Sequence, residues 1–203
     1  MGILTNLVSS IIQVIIFSII PFIWWLVSNR NESSFLEWIG IKKITIQNKK
    51  KYVMTFGFIL ILLVFSSLLI IPFFINSSDM ATSQFINQGI VALIPALIYA
   101  FIQTGLSEEI LFRGFLAKRL INKFGFLIGN IVQSVLFGAL HVLLFISLTN
   151  WLGTIIIFII TGFTGWLMGI INEKQSGGSI ISSWLIHGCA NTLAAIFAMF
   201  NIV

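Results

Sequence analysis

Long apolar runs broken by short polar stretches set the pattern of this chain. The first runs from about Ile3 to Ser28, the second from Val53 to Ile75. A third begins near Gly89, contains Pro95, and continues without a clear stop to the turn signal Asn122-Lys123-Phe124-Gly125. A fourth reaches about Thr149, a fifth covers Trp151 to Ile171, and a sixth covers Ile180 to Val203. Each is near the length that an α-helix needs to cross a bilayer. The expected fold is therefore all-α: a polytopic membrane bundle of about six transmembrane helices. Short alternating strands of the kind that build a membrane β-barrel are missing from the pattern. No internal repeat or second domain is evident. The expectation is one membrane domain over residues 1–203, with two N-terminal spans in 1–88 and a four-helix core in 89–203.

The stretches between the runs give a topology. Asn29 to Tyr52 is basic, with Phe35, Leu36, Trp38, Ile39, Ile41 and Ile44 interleaved among the charges. Such a segment fits either an interfacial element lying on anionic lipid or an ordinary loop. Asn76 to Gln88 holds Asp79 and no Lys or Arg. Apart from Arg113, the Lys and Arg residues fall before span two, around the 122–125 turn, or in the loop 172–178. Positive residues mark the cytoplasm, so both termini are expected to face outward from a cell membrane.

Composition agrees with the pattern. Of 203 residues, 58% are hydrophobic and 8% charged, against about 25% charged in soluble domains. The net charge of +5 is read as positive loops, with no nucleic-acid partner expected. The lone Cys189 excludes an internal disulfide. The first apolar run lacks a basic leader and is too long for a signal-peptide core, so a cleavable signal is not expected.

Charge inside spans is costly and marks function. Spans one, two and five carry none; spans three, four and six carry Glu108, Glu109, Arg113, His141 and His187. Three helices are thus expected to share a polar interior, with three as scaffold. Glu109 and Arg113 are four apart, acid first, and can pair on one helix face. Glu108 lies about 100° around the helix from Glu109, so it is free to point elsewhere. Phe137 and His141 are four apart, as are His187 and Asn191. With spans three and four folded as a hairpin, Glu108 and His141 both lie roughly 23–26 Å from the turn. His187 reaches the same level if the hairpin tip projects about 10 Å beyond the bilayer. Lys118, Arg119 and Lys123 would then sit in water. Singly, these residues have plain readings: a structural ion pair, or hydrogen-bonding struts between helices. Together at one level they are harder to explain so, because unneeded buried polar groups cost stability. Thr161, Gly165 and Gly169 give span five a small-residue face. Gly105, Gly114 and Gly138 are read as points of close helix approach.

The series Glu108-Glu109-x-x-x-Arg113, Phe137-x-x-x-His141 and His187-x-x-x-Asn191, with its Gly178-Ser179-Ile180 lead-in, resembles the three-motif signature of the CAAX protease and bacteriocin-processing (Abi) family of intramembrane proteases. The resemblance covers roughly Ile90 to Ala198. It implies a membrane endopeptidase opening toward the cytoplasm, of bacterial type given the small size and spare loops. Its partners would be the lipid bilayer and a peptide or protein-tail substrate. In the roles it implies, Glu108 is the general base for a water, His141 assists, and His187 and Asn191 stabilise the oxyanion. Glu109 and Arg113 would brace the helix, with Phe137 as structural support. No cofactor and no metal are expected. Alternatives stay open at this point. One is a zinc peptidase, although the His-Glu-x-x-His helix is missing. Another is a non-catalytic adaptor or immunity protein, and a third is a transporter using a proton relay. Substrate and oligomeric state are not specified by the sequence.

Overall fold

The computed structural model describes residues 2–202; Met1 and Val203, the ends of the expected domain and of the sixth expected span, lie outside it. The described residues are helical, without strands. Six helices are long and apolar enough to cross a membrane: Ile3–Ser28, Lys49–Phe73, Gly89–Phe124, Phe126–Phe145, Trp151–Gln175 and Ile181–Met199. Below they are spans one to six. Their flanks carry exposed Ile, Leu, Val and Phe side chains, span one most densely, while the polar side chains turn inward. In water that arrangement would be unstable; in lipid it costs nothing, and backbone groups are satisfied within each helix. The chain is a multi-pass membrane protein.

Span three departs from the regular helix expected of it. It opens as a 3-10 turn at Gly89–Ala92, runs as α-helix over Leu93–Leu97, and widens to π-helix over Ile98–Leu106. One α-helical turn, Ser107–Glu109, is followed by a second π stretch, Ile110–Ala117. The wider turn is visible in Thr104, whose hydroxyl donates to the carbonyl of Tyr99 five residues back. π-helical turns are rare and concentrate at functional sites. Here two of them bracket the paired glutamates.

The hairpin between spans three and four is as tight as the sequence suggests. Gly125 turns the chain at φ +81°, a conformation costly for other residues. A Cβ on Gly129 would fall 2.4 Å from the backbone nitrogen of Ile121, so the two helices touch as soon as they separate. Spans four and five pack closely through small residues. A Cβ on Gly138 would lie 2.9 Å from the Phe158 carbonyl, and one on Gly169 would overlap the Asn130 side chain. The side-chain amide of Asn130 donates to the Trp166 carbonyl at 3.0 Å, and that of Gln133 to the Gly165 carbonyl at 3.0 Å. The small-residue face of span five is thus matched by amides as well as by van der Waals contact.

The segment between spans one and two does not lie out on the lipid. After a short helix, Phe35–Trp38, capped by the Ser34 hydroxyl, it crosses the ends of spans three and six as a strap. Trp38 and Ile39 are buried, and Ile39 packs so closely on Gly114 that a Cβ there would lie 2.8 Å from its carbonyl. The amide of Ile180 donates to the Gly40 carbonyl (2.9 Å), that of Thr45 to Ser176 (3.2 Å), and the Ser179 hydroxyl to the Lys42 carbonyl (2.6 Å). This corrects the expectation that Lys118 and Arg119 stand in water. Lys118 is 11% exposed, pairs with Glu173 at 2.8 Å and donates to the Gly178 carbonyl at 2.7 Å. The Arg119 guanidinium lies 3.9 Å from the centre of the Trp38 ring. Both cations latch the strap to the bundle.

Candidate active site

Glu109 is the most enclosed charge in the molecule. Its side chain is fully buried and Arg113, 1% exposed, brings Nη1 to 3.1 Å from Oε1. This is an ion pair without an aligned hydrogen bond, since Nη1 and Nε have no hydrogen-bond partner. The guanidinium carbon instead sits over the Phe137 ring, 4.0 Å from its centre, and Nη2 points at the Met168 sulfur at 3.3 Å. Gly165 makes room for this stack, as a Cβ there would lie 3.2 Å from Phe137 and 3.3 Å from Arg113. Buried ion pairs persist only where further hydrogen bonds satisfy the charges. For Glu109 those come from span six. The Ser183 hydroxyl donates to Oε2, and His187 brings Nδ1 to 3.3 Å from Oε1. Ser183 is itself placed by Asn172 at the end of span five. That side-chain amide donates to the Ser183 hydroxyl at 2.7 Å, and its oxygen accepts the Ser183 amide at 3.2 Å.

A carboxylate can only accept, so the bond to Glu109 puts a proton on Nδ1 of His187. The Nε2 of the same ring then faces Glu108, 3.9 Å from Oε2. Glu108 contrasts with its neighbour. It is 16% exposed, and Oε2 has no hydrogen-bond partner. The turn of α-helix at Ser107–Glu109 points the two carboxylates in different directions, as the sequence suggested.

His141 is held from its own helix. Its Nδ1 lies 2.9 Å from the Phe137 carbonyl, and its ring is 4.4 Å from the Phe137 ring. A carbonyl also only accepts, so Nδ1 carries the proton and Nε2 is left for another partner. His141 lies within electrostatic range of Glu108 and His187 without a hydrogen bond to either. Phe137 is therefore more than packing: one face supports Arg113, the ring edge meets Phe112 at 5.0 Å, and its carbonyl orients His141. Asn191 is anchored through the Thr104 hydroxyl, which accepts from its amide at 2.8 Å.

Glu108, Glu109, Arg113, Phe137, His141 and His187 thus belong to one neighbourhood built from spans three, four and six, and Asn191, one turn beyond His187, is tied to span three through Thr104. The division into three polar and three scaffold helices is less clean than expected. Span one adds Gln13, whose amide lies 3.4 Å from the Ser107 hydroxyl and whose oxygen accepts from Gln103 at 3.3 Å. Span five adds Asn172 and Met168. Ser183, Asn172, Thr104 and Gln13 were not singled out by sequence, because uncharged polar residues are common in membrane helices. The i, i−4 spacing of Ser183 from His187 was the one available signal. Among the described residues no three His, Cys, Asp or Glu side chains gather as a ligand set for a metal ion. Chemically the arrangement offers one unsatisfied carboxylate, two imidazoles each with Nδ1 occupied, and one carboxamide.

No curated protein and no solved structure gives a match to the chain. A protein-family model does: that of the type II CAAX prenyl endopeptidase Rce1-like proteins, over residues 90–193. The match starts one residue into span three and ends two residues beyond Asn191, so it contains every side chain of the polar cluster except Gln13. It covers just over half of the sequence, and the chain belongs to the type II CAAX prenyl endopeptidase Rce1-like family of membrane proteases.

Proposed function

We propose that the chain is an intramembrane endopeptidase that cleaves a membrane-associated peptide precursor or protein tail, with Glu108 as the base. The observation that carries this reading is the unpartnered Oε2 of Glu108 beside a Glu109 whose bonds are all taken. A general base needs a free lone pair within reach of its proton donor, and of the two glutamates Glu108 has one. A water held between Glu108 and Nε2 of His141 attacks the scissile carbonyl carbon and gives its proton to Glu108. The carbonyl oxygen becomes an oxyanion, facing His187 and the Asn191 amide. Nε2 of His187 acts there when it also carries a proton. Glu108 then returns the proton to the leaving amide nitrogen, the C–N bond breaks, and a carboxylic acid and an amine result, the acid passing its proton to the amine. Preorganised donors at a dry oxyanion site contribute about 3–4 kcal/mol each.

The test compares peptides in the membrane and medium of cells expressing wild-type protein or Glu108→Gln at equal abundance. At least one peptide with a new terminus should depend on Glu108. If the variant leaves the peptide set and the biological function of the chain unchanged, the protein acts as an adaptor.

A further inference from the structure

Spans three and six are already locked together on either side of Asn191. Before it, the Trp184 indole donates to the Phe101 carbonyl at 2.6 Å. A Cβ on Gly188 would overlap the Phe101 ring, and one on Gly105 would lie 3.4 Å from the Trp184 ring. Beyond it, Ala195 and Met199 pack with Tyr99 and Ala100 in a buried cluster. The two helices therefore hold their register without the hydrogen bond between Thr104 and Asn191, and that bond is free for another task.

Thr104 stands in the wide part of span three, Ile98–Leu106. Its hydroxyl has one proton and two lone pairs. The wide turn puts two carbonyls within reach of that proton, Tyr99 at 3.2 Å and Ala100 at 3.4 Å. With the proton spent there, the oxygen can only accept, and it accepts from Nδ2 of Asn191 at 2.8 Å. A carboxamide is nearly symmetrical in shape, and a half-turn about its last torsion exchanges oxygen for nitrogen. The Thr104 oxygen rejects one of those two orientations, because two acceptors would then face each other. Nδ2 carries two hydrogens; Thr104 takes one and the second remains for the site. Thr104 lies four residues before Glu108, about one helical turn, and neither Thr104 nor Asn191 is sealed in the core.

We infer that Thr104 is a positioning residue for the cleavage: its hydroxyl fixes the Asn191 carboxamide with an N–H, rather than Oδ1, turned to the developing oxyanion. The inference rests on the oxyanion role proposed above for Asn191 and adds the group that sets its orientation. Thr104 itself touches no reacting atom. Without its oxygen the carboxamide turns freely, and in one of the two orientations Oδ1 meets the oxyanion and repels it.

The test measures kcat, KM and melting temperature of the full chain in detergent, on a synthetic peptide spanning the Glu108-dependent cut. Thr104→Val keeps the shape and removes the acceptor. It should lower kcat roughly tenfold or more, short of the 100- to 1000-fold that loss of a whole oxyanion donor costs, with KM unchanged. Thr104→Ser returns the hydroxyl and should restore kcat. In an Asn191→Ala background Thr104→Val should have no further effect, since the donor it orients is gone. Losses that multiply in the double variant overturn the inference, as does a Thr104→Ser protein no faster than Thr104→Val, or a rise in KM alone. A lower melting temperature with kcat kept makes Thr104 a strut between helices, and so does failure of both Thr104→Val and Thr104→Ala to accumulate. Glu108→Gln in the same assay separates the two levels. If cleavage survives that change, the base assignment fails and this inference falls with it. If cleavage is lost there while Thr104→Val cleaves at the full rate, this inference alone fails.

Discussion

Glu108 and Glu109 are adjacent in sequence and opposite in circumstance. Around Glu109 every direction is occupied: Arg113 and Phe137 on one side, Ser183 and His187 on the other. Around Glu108 one carboxylate oxygen has no hydrogen-bond partner, and His187 stands off at 3.9 Å. The first region is built as a knot, while the second leaves a buried carboxylate oxygen without a hydrogen bond. A single turn of α-helix between two π-helical stretches turns one carboxylate into each. The lesson is that a paired acidic motif need not be a paired acid. One member holds the imidazole whose other nitrogen faces its neighbour.

The sharpest test of that contrast sets Glu108→Gln against Arg113→Ala. The first removes the base and keeps the shape. Cleavage should fall by about 10²–10⁴-fold with the melting temperature in detergent unchanged. Arg113→Ala strands a buried carboxylate, and breaking a buried pair typically costs about 3–5 kcal/mol. Melting temperature and abundance should drop with activity. A Glu108→Gln protein that melts early would place Glu108 inside the knot and end the comparison. Next in size is Asn191→Ala. The loss of one oxyanion donor costs on the order of 100- to 1000-fold in kcat, with little change in KM. A change in KM alone would make Asn191 a substrate-binding group. The smallest effect is expected at Ser183. Ser183→Ala removes a hydrogen bond to a buried charge, about 1.5–3 kcal/mol, and loosens the ring of His187. It should reduce kcat roughly tenfold, or about 1.4 kcal/mol, and Ser183→Thr should restore it. Loss of stability with kcat intact would make Ser183 part of the knot alone.

Much of this was legible beforehand, for physical reasons. Charges are so costly in lipid that Glu108, Glu109, Arg113, His141 and His187 mark themselves, and the turn at Gly125 sets two of their helices in register. Hydropathy fixed the spans because each had to cross the same slab. Less legible was anything carried by neutral polar groups or by backbone. Ser183, Thr104 and Asn172 resemble any other small polar residue until their partners on another helix are known. The π-helical stretches have no hydropathy signature, since one extra residue per turn does not change composition. The strap was open to two readings because Trp38 and Ile39 suit lipid and protein alike. Only the closeness of Gly114 and the carbonyl of Gly40 decides for protein.

That strap also has a place in time. Its lysine at position 42 is joined to Ser179, 137 residues further along the chain. At a synthesis rate of about 5–20 residues per second, the strap waits roughly 7–27 s for the partner that anchors it. Trp38 and Ile39 meet Phe115 and Gly114 as soon as span three is made, but Lys118 then still has neither Glu173 nor the carbonyl of Gly178 to bind. The latch closes only at the loop that leads into the last helix, so an assembled strap records that spans three to five have been made and that span six has begun.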